Sequence, residues 1–130
     1  MEPKESRLLV WGAVVVLANF AAVLWHLLLL VKVRPGIPTA AIFLLVLINL
    51  VPVAGVVTFA KGFRKLAGSM IIVPLGVALV IGSYMHFLSS GADNVLRMPP
   101  SALTLPYQVS AVLLTFLEAL GCWIAWRMFA

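Results

Sequence analysis

Apolar residues run along this chain in four long blocks, each broken by a short cluster of charge, proline or glycine. The first block runs from about Leu8 to Val31 and stops at Lys32-Val-Arg34-Pro35-Gly36, where snorkelling charges meet two helix terminators. The second covers Thr39 to Ala60 and ends at Lys61-Gly62-Phe63-Arg64-Lys65. The third covers Ser69 to Leu88, and the fourth Tyr107 to Trp126. Between the last two lies the longest polar stretch, 89–106, with Gly91, Asp93, Asn94, Pro99, Pro100 and Pro106. Apolar blocks of about 20 residues match the length of a helix crossing roughly 30 Å of hydrocarbon. The pattern predicts an all-α, integral membrane four-helix bundle, up-down-up-down, forming one transmembrane domain over 1–130. Pro52 and Pro74 fall inside the second and third blocks and are expected to kink or loosen them, which lipid tolerates when neighbours cover the freed carbonyl. No internal repeat of the kind that marks inverted-repeat transporters is visible.

Composition narrows the class. Of 130 residues, 64% are hydrophobic and 10% charged, with a mean hydropathy of +1.16, too little polar material to wet a soluble domain. The net charge of +5 does not point to nucleic acid, because the cations sit at block ends rather than on one amphipathic surface. Lys4, Arg7, Lys61, Arg64, Lys65 and Arg127 fall on one side, and Lys32, Arg34 and Arg97 on the other. That asymmetry predicts both termini inside (N-in/C-in), in a multi-pass protein of the plasma (inner) membrane. Trp11, Trp123 and Trp126 gather at the inner interface, with Trp25 toward the outer one. Cys122 is the only cysteine, which removes an intrachain disulfide and any CxxC motif and suggests a small packing residue. The first block is too long for a signal-peptide core and is followed by no A-x-A site, so it is expected to stay attached. No C-terminal lipidation signal is present.

Inside a membrane the informative residues are the polar ones, since each needs a partner. On helix four, Gln108, Ala111, Thr115, Glu118 and Cys122 share one face at intervals of three and four, with Ser110 off it. On helix one, Gly12, Asn19 and His26 recur every seven residues, with Ala22 beside them. On helix three, Ser69, Gly76 and Ser83 recur likewise and His86 continues the stripe; helix two offers Asn49 and Thr58. These stripes are expected to face one another, their small residues allowing close approach. By depth, Asn19, Asn49 and Glu118 fall near the midplane, while His26 and His86 lie about seven residues outward, roughly 10 Å at helical rise.

Two chemistries follow. Glu118 is the only acid inside a block, and ionising it there costs on the order of 3 kcal/mol, which favours the neutral acid. With Gln108, Thr115, Asn19 and Asn49 it forms either a hydrogen-bonded polar network that fixes helix register, or the proton-coupling group of a homo-oligomeric small-molecule or ion transporter. The histidines suggest axial ligands of a b-type haem near the outer face. Diagonal helices one and three would stand roughly 13 Å apart for neighbouring axes about 8–10 Å apart, leaving space for an iron between imidazoles. Phe20, Leu27, Leu79 and Phe87 offer apolar walls. Packed core histidines explain the same residues. Met85 and Met98 add soft sulfur of a copper-type donor set, with Met85 on a different face from His86. No Ser-His-Asp order, paired carboxylates, HExxH or phosphate loop is present, so the chain carries no enzyme signature. The sequence leaves a haem-binding redox subunit or bundle, a transporter, and a structural or assembly subunit of a larger membrane complex.

Overall fold

The computed structural model describes residues 1–130 as four long helices and no strand. They are α1 (Pro3–Val33), α2 (Thr39–Ala60), α3 (Arg64–Ser83) and α4 (Thr104–Phe129), with a π turn at Tyr84–Leu88 and a 3-10 turn at Val95–Arg97. All four are long and apolar enough to cross a membrane, α3 being counted through its π turn to Leu88. Helices α1, α3 and α4 outrun their apolar blocks, while α2 matches its block end to end. The first turn of α1 is set by Glu2, whose backbone N–H donates to the Glu5 carboxylate at 3.3 Å, with Pro3 at the first helical position. Both α2 and α3 continue through Pro52 and Pro74 without interruption.

Each helix packs on its two neighbours in the order α1–α2–α3–α4–α1, so α1 and α3 are diagonal. Two ion pairs mark the ends. Arg64, opening α3, holds Glu5 at the start of α1 at 2.8 Å, and Arg34, just past α1, holds Asp93, beyond α3, at 2.7 Å. Helices α1 and α3 therefore run the same way. The α2–α3 connection is a glycine-capped turn. Gly62 takes a φ of +89°, its N–H donates to Phe59 O, and the Phe63 N–H donates to Thr58 O, closing the last carbonyls of α2.

Small residues bring the helices together. Gly12 faces Met128 and Ile124 across α1–α4, Gly55 faces Ile71, Met70 and the Ala67 carbonyl across α2–α3, and Gly68 faces Phe129 and the Ala125 carbonyl across α3–α4. Val15, Val16, Ile71, Leu75, Leu114, Leu117 and Ile124 fill the core between them. Outward, Leu28, Phe43, Leu47, Val80 and Phe116 are each more than half exposed, an apolar surface suited to acyl chains rather than water.

One stripe differs from the sequence expectation. The buried face of α3 is Ala67, Gly68, Ile71 and Leu75, not Ser69, Gly76 and Ser83. Ser69 is exposed because its hydroxyl donates to Lys65 O in its own helix at 3.1 Å, which removes the need for an interhelical partner.

Residues 89–103 fold back as a cap. Val95 is buried with Leu29, Tyr107 and Ala111. The Asn94 side chain donates to Ser89 O at 2.6 Å and accepts from Leu96 N–H at 2.9 Å, and Gln108 donates to Val95 O at 2.8 Å. With the Arg34–Asp93 pair, these bonds fasten the end of the bundle opposite the chain termini.

Candidate functional site

Under this cap three rings meet. His26, on the buried face of α1, stacks on Tyr107 at the start of α4, with centroids 4.7 Å apart and planes at 24°. His86 meets His26 edge to face, centroids 4.8 Å apart, and stands 6.0 Å from Tyr107. The π turn makes this possible. The Ser89 N–H bonds to Tyr84 O five residues back at 2.8 Å, and the widened turn carries His86.

Hydrogen bonding fixes the His86 tautomer. His86 Nδ1 lies 3.1 Å from Asp93 O, and a carbonyl only accepts, so the ring proton is on Nδ1. Ser110 Oγ lies 2.7 Å from His26 Nδ1 and 2.8 Å from Tyr107 O, so its one proton goes either to the carbonyl, with His26 Nδ1–H donating to Oγ, or to Nδ1, with the ring proton on Nε2. In the neutral ring, His86 Nε2 is left as a lone pair. An anchored Nδ1–H beside a free Nε2 is the arrangement that orients imidazoles for a ligand.

A cavity of about 330 Å³ lies among the four helices against these rings. Its outer part is bounded by His26, His86, Tyr107 and Asp93, and Asn49 and Glu118 border it as well. Two buried polar atoms at its edge, Tyr107 Oη and Asp93 Oδ1, have no protein partner. Buried polar groups are satisfied in the great majority of cases, which makes these two unpartnered atoms exceptions. Leu45 and Ile48 of α2 and Val77 and Ile81 of α3 also line it and are themselves exposed. The cavity is thus walled between α2 and α3 by exposed apolar side chains, at the side of the bundle rather than at its end.

The structure brings His26 and His86 together, and brings Glu118 and Asn49 to the same cavity. It does not form the expected polar network. Asn49 donates to Leu45 O at 2.8 Å and Thr115 to Ala111 O at 3.0 Å, each within its own helix; Gln108 goes to the cap. Asn19 is buried with Oδ1 unpartnered, and no hydrogen bond joins it or Asn49 to Glu118. Satisfying a side chain four residues back costs no interhelical geometry, and that competes with a clasp. Ser110, placed off the working face by its spacing, is fully buried and holds His26. Met85 lines the cavity with His86 rather than facing away.

The ring positions do not fit a haem. Two imidazoles on opposite faces of one iron stand roughly 6 Å apart between centroids for metal–nitrogen distances of about 2.0 Å, with the macrocycle plane between them. Here the rings touch at 4.8 Å, in edge-to-face contact, which leaves no such plane. No group of three or more His, Cys, Asp or Glu side chains forms a metal cage.

Tyr107, Ser110 and Asp93 were missed by sequence reasoning. One signal was present for Asp93: it is the only acid in the loops at its end of the bundle, opposite Lys32, Arg34 and Arg97. No family model, curated protein or solved structure matches the chain.

Proposed function

We propose that this protein is a multi-pass carrier of the plasma (inner) membrane, N-in/C-in, that takes a lipophilic amine from the bilayer into the cavity between its helices. The observation that carries this reading is the polar inventory of the cavity. The lone pair of His86 Nε2, the free Asp93 oxygen and the Glu118 carboxyl can each accept a hydrogen bond or a proton, beside two neutral donors, the Tyr107 hydroxyl and the second Asn49 N–H. Such a lining asks the ligand for hydrogens and positive charge, while the apolar walls ask for a hydrocarbon or aryl body. A volume of about 330 Å³ suits a small molecule. The apolar wall between α2 and α3 supports entry from lipid.

The test is binding of radiolabelled 4-phenylbutylamine to detergent-purified protein, followed by uptake into proteoliposomes. His86→Ala and Glu118→Gln should each weaken binding about tenfold, the effect of losing one charge-assisted hydrogen bond. The isosteric alcohol should bind at least about tenfold more weakly than the amine, because it lacks the charge. Equal binding of alcohol and amine, or wild-type affinity in both variants, rejects the reading. Gln also cannot release a proton, so amine-induced proton release that persists in Glu118→Gln excludes Glu118 as the coupling group.

Orientation has its own measurement. Cysteines introduced at Ser90 and Ser101 should react with an impermeant maleimide from outside, and one at Ser6 only after permeabilisation. External labelling at Ser6 reverses the topology.

A further inference from the structure

A second cavity, of about 600 Å³, lies at the opposite end of the bundle in the groove between α1 and α4, away from the imidazoles. Its lining is graded along the helix axes. Lys4, Arg7 and Arg127 stand at the rim, Trp11 and Trp123 follow, and Val15, Leu120 and Ile124 form the deeper wall. From Lys4 to Val15 the chain advances roughly 16 Å at helical rise. Cation, amphipathic aromatic and aliphatic wall, in that order, match the phosphate, glycerol–ester and acyl layers of a phospholipid.

The charges at the rim are uncommitted. The two ion pairs of the protein are Arg34–Asp93 and Arg64–Glu5, so none of the three groove cations has a carboxylate partner. The first turn of α1 divides its charges: Glu5 turns to α3, while Lys4 and Arg7 line the groove beside α4. Arg127 lies over the Trp123 ring, 5.5 Å from its centroid, which steadies the guanidinium at the rim without neutralising it.

We infer that the α1/α4 groove is a binding site for one anionic glycerophospholipid, its phosphate held by Lys4, Arg7 and Arg127 and an acyl chain lying along Trp11, Val15 and Ile124. Charge complementarity selects the occupant. A zwitterionic lipid brings a choline or ethanolamine cation into an already basic rim, whereas a phosphatidylglycerol headgroup brings net negative charge. The site is separate from the amine cavity and stands whether or not that reading holds.

The test uses the full-length protein in phosphatidylcholine nanodiscs, titrated with phosphatidylglycerol of matched chains, with bound lipid counted by native mass spectrometry on release. Wild type should retain phosphatidylglycerol about tenfold more than phosphatidylcholine, and Arg7→Gln/Arg127→Gln should erase the preference. Lys61→Gln/Lys65→Gln removes the same charge from the same end of the bundle outside the groove and should keep it. Loss of preference in both pairs means general surface attraction and overturns the site. So does wild-type retention in the Arg7/Arg127 pair, or displacement of the lipid by inorganic phosphate at equal concentration, which would mark a free-anion site. If the double variant fails to fold, Arg127→Gln alone should halve the preference or more, and full retention there is equally decisive.

Discussion

Gly82→Phe is expected to lower 4-phenylbutylamine affinity at least about 100-fold while leaving the bundle folded, a loss of roughly 2.7 kcal/mol or more in binding. Gly82 lines the amine cavity, and a Cβ built there meets nothing closer than His86 Cδ2 at 4.0 Å. A side chain therefore enters open space instead of a packed seam, and the phenyl ring occupies the volume the ligand needs. Phe also suits a helix interior better than Gly by a few tenths of a kcal/mol, so α3 should not suffer. The measurement pairs ligand binding with thermal unfolding in the same detergent. A thermal midpoint within a few degrees of wild type, together with lost binding, places the ligand in this cavity. Unchanged affinity moves the amine site elsewhere.

The opposite result is expected at Gly55. A Cβ there lies 2.8 Å from Ile71 Cγ1, 3.1 Å from Met70 Cβ and 3.2 Å from the Ala67 carbonyl oxygen. The Ile71 side chain can turn aside, but the Met70 Cβ and the Ala67 backbone move only if α3 moves. Gly55→Val should cost about 1–3 kcal/mol of bundle stability through overpacking. The damage should be local, because α2 has few other buried positions: Asn49, Pro52 and Phe59 complete its inward face. Hydrogen exchange should rise along α2 and spare the α1–α4 seam. Uniform acceleration across all four helices would instead mean that the α2–α3 seam nucleates the whole bundle.

The four helices and the diagonal placement of α1 and α3 were legible in the sequence because lipid imposes a single rule on every block. The α1 stripe was legible too. Asn19, Ala22 and His26 are polar or small, share a face, and are buried. The same logic misled on α3, where Ser69 serves its own helix and the true seam is built by Ala67, Gly68, Ile71 and Leu75, residues that carry no polar signal. At the site, spacing matched the depth of the two histidines but not their contact. That contact depends on a π turn, which no periodicity of 3.6 encodes, and on Tyr107 and Ser110, whose partners lie about eighty residues away along the chain. Glu118 and Asn49 were found by composition alone. Their lack of mutual bonding was not legible, because an amide satisfied by a carbonyl four residues back looks the same in sequence as one that reaches across.

The cap and the α2–α3 wall of the cavity are held unequally. An ion pair and a lattice of backbone contacts pin the cap, while the outer half of α2 has no buried residue before Asn49 and its close seam with α3 lies at Gly55. Mechanically, α2 is anchored to α3 toward one end and left without buried residues at the other. If the proposed carrier admits its ligand here, entry displaces acyl chains as α2 moves, and the work of opening is done against the lateral pressure of the bilayer and not against water. On the proposed reading, uptake is then set by the membrane around the protein as much as by its own residues: a tightly packed bilayer acts as a stiff spring on α2, and a fluid one as a weak spring.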